Sequence, residues 1–154
     1  MLTGAVATLG IRDGEQGIYI DKIEPTDFVI RLHSEVGKSF PLHCTAMGKV
    51  LLAHSDNATT KRVTKRKLES YTQITITDGK ALREELKAVV ANGYAVDREE
   101  ITRGLVCVAA PVYGVDGSVA AAMSCTISSF DATKERLDEV TQLVVDCACA
   151  ASPG

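Results

Sequence analysis

The chain has 154 residues, which is enough for one domain with a hydrophobic core and too few for two domains of ordinary size. Hydrophobic residues make up 45% of the sequence and charged residues 24%, as in soluble globular proteins, and the net charge of -3 excludes a general electrostatic attraction to nucleic acid. Because the sequence has neither the roughly 18 consecutive apolar residues that span a bilayer nor an N-terminal signal segment, we expect a cytoplasmic protein that does not enter membranes.

Five cysteines are spread along the chain, an odd number without Cys-x-x-Cys spacing. This pattern argues against a disulfide framework and against a zinc knuckle. We therefore expect most of the cysteines to be buried as small hydrophobic residues, and the sequence calls for no cofactor.

The N-terminal segment has the pattern of three β-strands. Apolar and small residues alternate over 5–11, and a second apolar run covers 18–23. The segment 13–17 between them contains aspartate and glycine and predicts a turn, so the two runs are expected to form a hairpin. A third strand is predicted over 28–32.

Helical periodicity begins after Pro41. Apolar residues recur at helical spacing in the next segment, which predicts a helix over about 45–54 with Thr45 as its N-cap. The polar and basic segment 56–72 is interpreted as a solvated face with room for a short helix.

Two further helices are indicated by caps and spacing. Asp78 is placed to cap a helix that ends at Asn92-Gly93, where glycine allows a left-handed terminal residue, and a strand is predicted over 94–96. The C-terminal segment has i, i+3, i+4 spacing and predicts an amphipathic helix that lies on a sheet. The apolar positions are Leu82, Leu86, Val89 and Val90 in the first helix, and Leu137, Val140, Leu143, Val144, Cys147 and Ala148 in the second.

Two apolar runs, 105–113 and 118–127, flank a segment that contains an Asp-Gly pair, and together they predict a second antiparallel hairpin. The turn is centred either on 115–116 or on 116–117. Both registers put the same side chains on one face, and only a loop of different length or a bulge would reverse this. The side chains that share this face are Leu105, Cys107, Ser124 and Thr126.

The order of the elements, with strands in hairpins and helices between and after them, predicts an α+β fold with an antiparallel sheet. Both faces of the second hairpin carry apolar side chains, so the sheet is expected to be covered on both sides. On one face Cys107, Ser124 and Thr126 lie beside small residues, and buried hydroxyls need hydrogen-bond partners. Two interpretations stay open: a packed core with hydroxyls bonded to backbone, or the floor of a ligand pocket.

Two more segments contain groups able to bind a ligand. The helix start after Pro41 leaves backbone amides free, which is a ready site for a carboxylate, whereas Gly48-Lys49 lacks the spacing of a phosphate loop. The acidic segment 97–100, with Arg103 nearby, offers carboxylates to a ligand hydroxyl. Each segment also has a purely structural interpretation, the first as a close-packed helix start and the second as surface charge.

Taken together, these segments resemble the C-terminal effector-binding domain of IclR-type bacterial transcription regulators. The motifs A-x-G-K over 46–49 and E-E-x-x-x-G-x-x-C-x-A-x-P-V over 99–112 are specific in combination, and matching pieces cover essentially the whole chain in family order. The resemblance implies a GAF-like fold with a six-stranded antiparallel sheet and helices on both faces. It also implies that 1–154 is a single ligand-sensing domain, and that the winged helix-turn-helix domain which precedes it in such regulators is absent from this chain.

The resemblance further implies a function without enzymatic activity. The effector would be a small organic acid or an aromatic metabolite, the chain would form a homodimer or tetramer, and operator DNA would be bound only through the N-terminal domain. The resemblance places no arginine in the pocket, so helix amides and hydroxyls would bind the charged group of the ligand. This favours mono-acids or phenolic compounds over phosphorylated ones. The implied effector-binding residues are Val29, Leu32, Ala46, Met47, Asp97, Leu105, Cys107, Ser124 and Thr126.

Three alternatives use the same residues differently. A thiol enzyme would need Cys107 as nucleophile within hydrogen-bond reach of His43 as base, although a cysteine in an apolar strand tends to have a raised pKa and low reactivity. A metal site would combine Asp97 with Cys107 and His43, a scattered set whose ligand types suit zinc. A flat sheet face would instead indicate a structural dimerisation module.

Overall fold

The structure is a computed structural model that describes residues 5–24 and 35–153, and its strands form one antiparallel sheet in the order β3-β2-β1-β6-β5-β4. The α+β fold with a six-stranded antiparallel sheet is confirmed. The strands are β1 (Val6–Asp13), β2 (Gln16–Ile23), β3 (Ser39–Phe40), β4 (Ala95–Arg98), β5 (Leu105–Tyr113) and β6 (Val119–Ser128). The helices are α1 (Ala46–Ala53), α2 (Asn57–Lys65), α3 (Gly79–Asn92) and α4 (Lys134–Ala151), and a 3-10 turn covers Ser129–Asp131.

The strand predicted over 28–32 lies outside the described residues. The third strand of the structure, β3, comes instead from 39–40, for which no strand was predicted. It pairs with β2, where Gly17 lies opposite Phe40. A Cβ atom on Gly17 would collide with the ring of Phe40, so glycine is needed there for the aromatic ring to pack on the strand.

The sheet is covered on both faces, as the two apolar faces of the second hairpin predict. On one face, Val106 and Val108 of β5 pack against Val140 and Val144 of α4. The opposite face packs against α1, and α3 packs in turn against α1. There the buried core includes Ala109 and Ala122 from the sheet, Val50 and Leu52 from α1, and Leu82 and Leu86 from α3.

The register of β5 and β6 sets which side chains share a face. Cys107 lies opposite Thr126 and Ala109 opposite Ser124, which is the pairing expected for a turn at 116–117. A bulge between Val112 and Tyr113 shifts the register only next to the turn. The prediction that Cys107, Ser124 and Thr126 share one face is therefore confirmed.

The helix ends follow the predicted caps. The Thr45 hydroxyl accepts a hydrogen bond from the Gly48 amide at 3.0 Å, and the Asp78 carboxylate accepts one from the Ala81 amide at 3.0 Å. Gly93 ends α3 with φ of 81°, in the left-handed region that glycine adopts without steric cost.

Two details of the helical faces differ from the prediction. Val90 is 54% exposed although Leu82, Leu86 and Val89 are buried, because a residue next to a buried one lies about 100° further around the helix. Leu143 and Cys147 of α4 are exposed for the same reason. The expectation that most cysteines are buried is therefore wrong. Cys44 is buried, Cys107 and Cys125 are half-buried, and Cys147 and Cys149 are exposed.

Candidate ligand-binding site

A cavity of about 750 Å³ opens between the sheet and the start of α1. It brings together the helix start, the acidic loop and the second hairpin, which are distant in the sequence. Val29 and Leu32, which were also expected at the site, lie outside the described residues. The expected site residues that line the cavity are Ala46, Met47, Asp97, Leu105, Cys107, Ser124 and Thr126.

Hydroxyl groups form pairs on the floor of the cavity. The Ser124 and Thr8 hydroxyls form a short hydrogen bond between β6 and β1, and the Thr126 hydroxyl lies 3.0 Å from the Cys107 sulfur. The packed-core interpretation required these hydroxyls to bond to neighbouring backbone. Their partners are instead side chains on the same face of the sheet. Thr8 was not expected at the site, although it is the polar residue in the apolar run 5–11 and lies directly opposite Ser124.

Asp97 lies in β4 against the cavity and is only 1% exposed. The pKa of its carboxyl is raised from 3.8 to about 7, chiefly by burial and also by the nearby Glu100 carboxylate. The Glu100 amide, which donates to Asp97 Oδ1 at 2.7 Å, and the charge of Lys49 act in the opposite direction. The Asp97 carboxyl therefore changes its protonation near neutral pH, and it can either donate or accept a hydrogen bond there.

The acidic loop after Asp97 is held from two sides. The Thr72 hydroxyl donates to the Glu99 carbonyl at 2.8 Å, and the Thr75 hydroxyl donates to the Glu100 carbonyl at 2.6 Å. Within the loop, the Glu99 carboxylate accepts a hydrogen bond from the Gly104 amide at 2.7 Å. These contacts fix the acidic loop beside the cavity. From the sequence, the same loop could also be interpreted as surface charge.

Lys49 is fully buried and joins three elements. Its Nζ donates to Glu100 Oε2 at 2.7 Å, to the Val96 carbonyl at 3.0 Å and to Glu85 Oε1 of α3 at 3.2 Å. The Gly48 that precedes it lies against the Pro41 carbonyl, where a Cβ atom would collide. In the Gly-Lys pair, the glycine therefore permits close packing and the lysine ties α1 to the acidic loop and α3.

Cys107 does not have the surroundings of a nucleophile. The pKa of its thiol is raised to about 12, chiefly by burial and also by the Asp97 carboxylate, so the protonated form prevails at neutral pH. His43 lies 2.8 Å from the Glu69 carbonyl through Nε2, and no hydrogen bond between His43 and Cys107 occurs in the described part of the chain. Over the same residues, no group of three or more His, Cys, Asp or Glu side chains is arranged to hold a metal ion.

Aromatic walls were not expected from the sequence. Tyr19, Phe40 and Tyr71 line the cavity, and the Tyr19 and Phe40 rings lie 4.6 Å apart between centroids. Burial raises the pKa of Tyr19, and the neighbouring Cys107 and Asp97 raise it further. A bulge between Leu9 and Gly10 shifts the pairing of β1 with β2, so simple alternation along the sequence does not assign Tyr19 to a face.

The mouth of the cavity is charged. Asp13 at the end of β1 and Glu15 in the turn after it line the mouth, together with Arg66 from the end of α2. The expectation that no arginine lies in the pocket is therefore wrong. Arg66 belongs to the basic segment that was interpreted as a solvated face, and only the tertiary packing of α2 beside the first hairpin brings it to the cavity.

Known proteins with similar sequences and structures are bacterial regulators. A family model described as bacterial transcriptional regulator IclR C-terminal matches residues 1–153. The HTH-type transcriptional regulator BhcR of Paracoccus denitrificans is 36% identical over 154 residues, which cover 99% of this chain and 55% of BhcR. The chain thus spans about half the length of the curated relatives it matches. The names of these relatives point away from enzymes.

Two solved structures illustrate the likeness of fold. IclR of Thermotoga maritima has a TM-score of 0.88 at 33% identity, with 95% of this chain and 59% of that chain covered. An IclR homologue from Microbacterium hydrocarbonoxydans, solved with 4-hydroxybenzoate, has a TM-score of 0.81 at 22% identity, with 96% of this chain and 61% of that chain covered.

Among the residues that the structure describes, no helix has the length and apolar character needed to cross a membrane.

Proposed function

Because this chain belongs to the IclR family of bacterial transcriptional regulators and corresponds to their C-terminal domain, we propose that its cavity binds a small-molecule effector and that the chain is the sensing part of a regulator. The observation that carries this proposal is the convergence of hydroxyls, a buried carboxyl and a helix start on one cavity of about 750 Å³. This volume is in the range of pockets that hold small organic ligands.

The start of α1 supplies groups for the acid end of such a ligand. Ala46 and Met47 are the first residues of the helix, so their amides have no acceptor within it. Free amides at a helix start favour an anion, and both residues line the cavity. Ser124 and Thr126 would bond the ligand's other oxygens, while Leu105 and Cys107 would provide apolar contact.

The proposed output is a change in DNA binding by the longer protein. A ligand that binds one arrangement of the domain better than another shifts the equilibrium between them, by no more than its difference in affinity. The longer protein would form a homodimer or tetramer. In it, the shift between arrangements of this domain would change how a winged helix-turn-helix segment binds DNA. The chain itself would carry out no covalent chemistry, which agrees with the protonated state of Cys107 at neutral pH.

A thermal-shift screen tests the proposal. The panel would contain small organic acids, sugar acids and aromatic acids, including 4-hydroxybenzoate. A ligand present at 100 times its dissociation constant should stabilise the folded chain by about 2.7 kcal/mol. Calorimetric titration of any hit would then give its affinity for the wild-type chain and for variants.

Ser124→Ala should weaken a hit about fivefold, since it removes one hydrogen bond from the cavity floor. The matched control is Thr141→Ala, which removes a hydroxyl from α4 on the other side of the sheet. No shift over the whole panel, or equal affinity of Ser124→Ala and the control, would contradict the proposal.

A further inference from the structure

We propose that Arg66 binds a second anionic group of the effector at the cavity mouth, so that the effector is an elongated acid with a negative charge at each end. This inference rests on the proposed function and names the class of ligand for the same cavity. It replaces the preference for mono-acids that followed from a pocket without arginine.

Arg66 has the right position for this role. Within the described ranges 5–24 and 35–153, it is the only lysine or arginine that lines the cavity. Its side chain is 43% exposed, so it can reach both solvent and a ligand in the mouth. Its backbone amide donates to the Arg62 carbonyl at 3.3 Å and fixes the residue at the end of α2.

The guanidinium of Arg66 has N–H donors that form no hydrogen bond with the described residues. Of its five N–H groups, one hydrogen bond is formed among the described residues, from Nη2 to the Glu15 carbonyl at 3.2 Å. The Glu15 carboxylate lies 3.9 Å from Nη1, beyond hydrogen-bond distance, and is shared with Arg62 Nε at 3.8 Å. A ligand carboxylate or phosphate could therefore form a two-pronged contact with Arg66 that Glu15 does not form.

The positive charge of Arg66 also acts on the interior of the site. Burial lowers the pKa of His43, and Arg66 lowers it further. The pKa of Tyr71 is raised by burial, and the charge of Arg66 opposes this rise. Of these two residues Tyr71 lines the cavity beside Arg66, so the guanidinium lies where its charge can attract an anion into the cavity.

The rest of the cavity fits a molecule with two charged ends. The helix start at Ala46 and Met47 offers amides to one anionic group, and Arg66 offers its guanidinium to the other. Phe40 and Leu105 supply apolar surface for the connecting part. Asp13 and Glu15 repel anions at the mouth, so the second group must displace Glu15 from Arg66, whose ion pair with it is long and partly exposed.

Calorimetric titration of the chain with matched pairs of acids tests the inference. The dicarboxylates from succinate to azelate are compared with the monocarboxylates of the same carbon number, and terephthalate is compared with p-toluate. We expect at least one dicarboxylate to bind more tightly than its partner. Arg66→Gln should weaken that dicarboxylate about tenfold and leave the monocarboxylates unchanged.

Lys67→Gln is the matched control, since it removes the same charge from an exposed neighbour that does not line the cavity. The inference is overturned if monocarboxylates bind as tightly as dicarboxylates, or if Arg66→Gln weakens both kinds equally. These outcomes leave the proposed function intact. If no acid of either kind binds, acid sensing by this cavity fails, and the role of Arg66 fails with it.

Discussion

Asp97 shows how one buried group can make the site sensitive to pH. Lys49, whose charge lowers the pKa of Asp97, is paired with Glu100 and Glu85, so it compensates the Asp97 charge only in part. With its pKa near 7, the carboxyl is protonated in part at neutral pH. A protonated Asp97 can donate to a ligand oxygen, whereas an ionised one repels a nearby carboxylate.

The raised pKa of Asp97 predicts a pH-dependent effect of Asp97→Asn on stability. The folded chain holds the Asp97 proton up to a pH of about 7, whereas the unfolded chain releases it near 3.8. Between these values the wild type loses stability as the pH rises, and the asparagine variant lacks this loss. Thermal melts should therefore show the variant gaining stability relative to the wild type over this interval, with no further gain above it.

The control for this prediction is Asp138→Asn on the exposed face of α4, where the side chain of Asp138 is 72% exposed. Its melting temperature should follow that of the wild type over the same interval. A constant difference between Asp97→Asn and the wild type at all pH values would show that Asp97 titrates normally.

Residues of the site were predictable where strand alternation or a motif fixed them. The parity of the second hairpin placed Cys107, Ser124 and Thr126 on one face, because the side-chain period of a strand is two. Tyr19 and Arg66 were not predictable in this way. The bulge at Ile20 of β2 breaks the alternation that would assign Tyr19, and the position of Arg66 depends on how α2 packs against a distant turn.

At the scale of elements, Lys49 connects two helices and a loop. Sequence periodicity predicts each helix by itself but not the contact between them. Its ammonium group joins α1 to α3 through Glu85 and to the acidic loop through Glu100. One carboxylate oxygen of Glu100, Oε1, is buried without a hydrogen-bond partner among the described residues. Glu100 therefore depends on Lys49 for compensation of its charge.

Lys49→Met should destabilise the chain by roughly 3–5 kcal/mol, since it leaves the Glu100 carboxylate buried without its partner cation. Urea unfolding measures this loss. The double variant Lys49→Met with Glu100→Gln should recover part of it, because the unpaired charge is then absent. Lys87→Met is the control on the exposed face of α3, where Lys87 pairs with Glu84 and should contribute well under about 1 kcal/mol. Equal losses for the two lysine variants would contradict this account.

Helices were more predictable than short strands. Thr45, Asp78 and Gly93 mark helix ends through local hydrogen bonds and backbone freedom, so α1 and α3 lie close to their predicted bounds. The two-residue strand β3 has no comparable local signal. It exists because β2 offers an edge and Gly17 leaves space for the Phe40 ring.

At the scale of the whole molecule, strands β5 and β6 belong to both hydrophobic cores. Val108 and Ile127 face α4, while Ala109 and Ala122 face α1, against which α3 packs. Loss of either helical layer would expose one face of the same central strands to water. The sheet therefore couples the layer that carries the cavity to the layer that carries α4.

This coupling predicts that both layers unfold in one transition. Val108→Ala, on the α4 side, should cost roughly 2 kcal/mol, and Leu52→Ala, in α1, about 3 kcal/mol, since both side chains are fully buried. In urea, far-UV circular dichroism reports on all helices. Tyrosine fluorescence reports partly on the cavity side through Tyr19 and Tyr71, and the chain has no tryptophan.

For each variant, the two signals should give the same midpoint, shifted to lower urea concentration than in the wild type. Val115→Ala serves as the control, because Val115 is 92% exposed and its loss should leave the midpoint in place. If Val108→Ala moved the circular dichroism midpoint and left the tyrosine midpoint unchanged, the α4 layer would unfold by itself. The central strands would then not transmit changes between the cavity and α4.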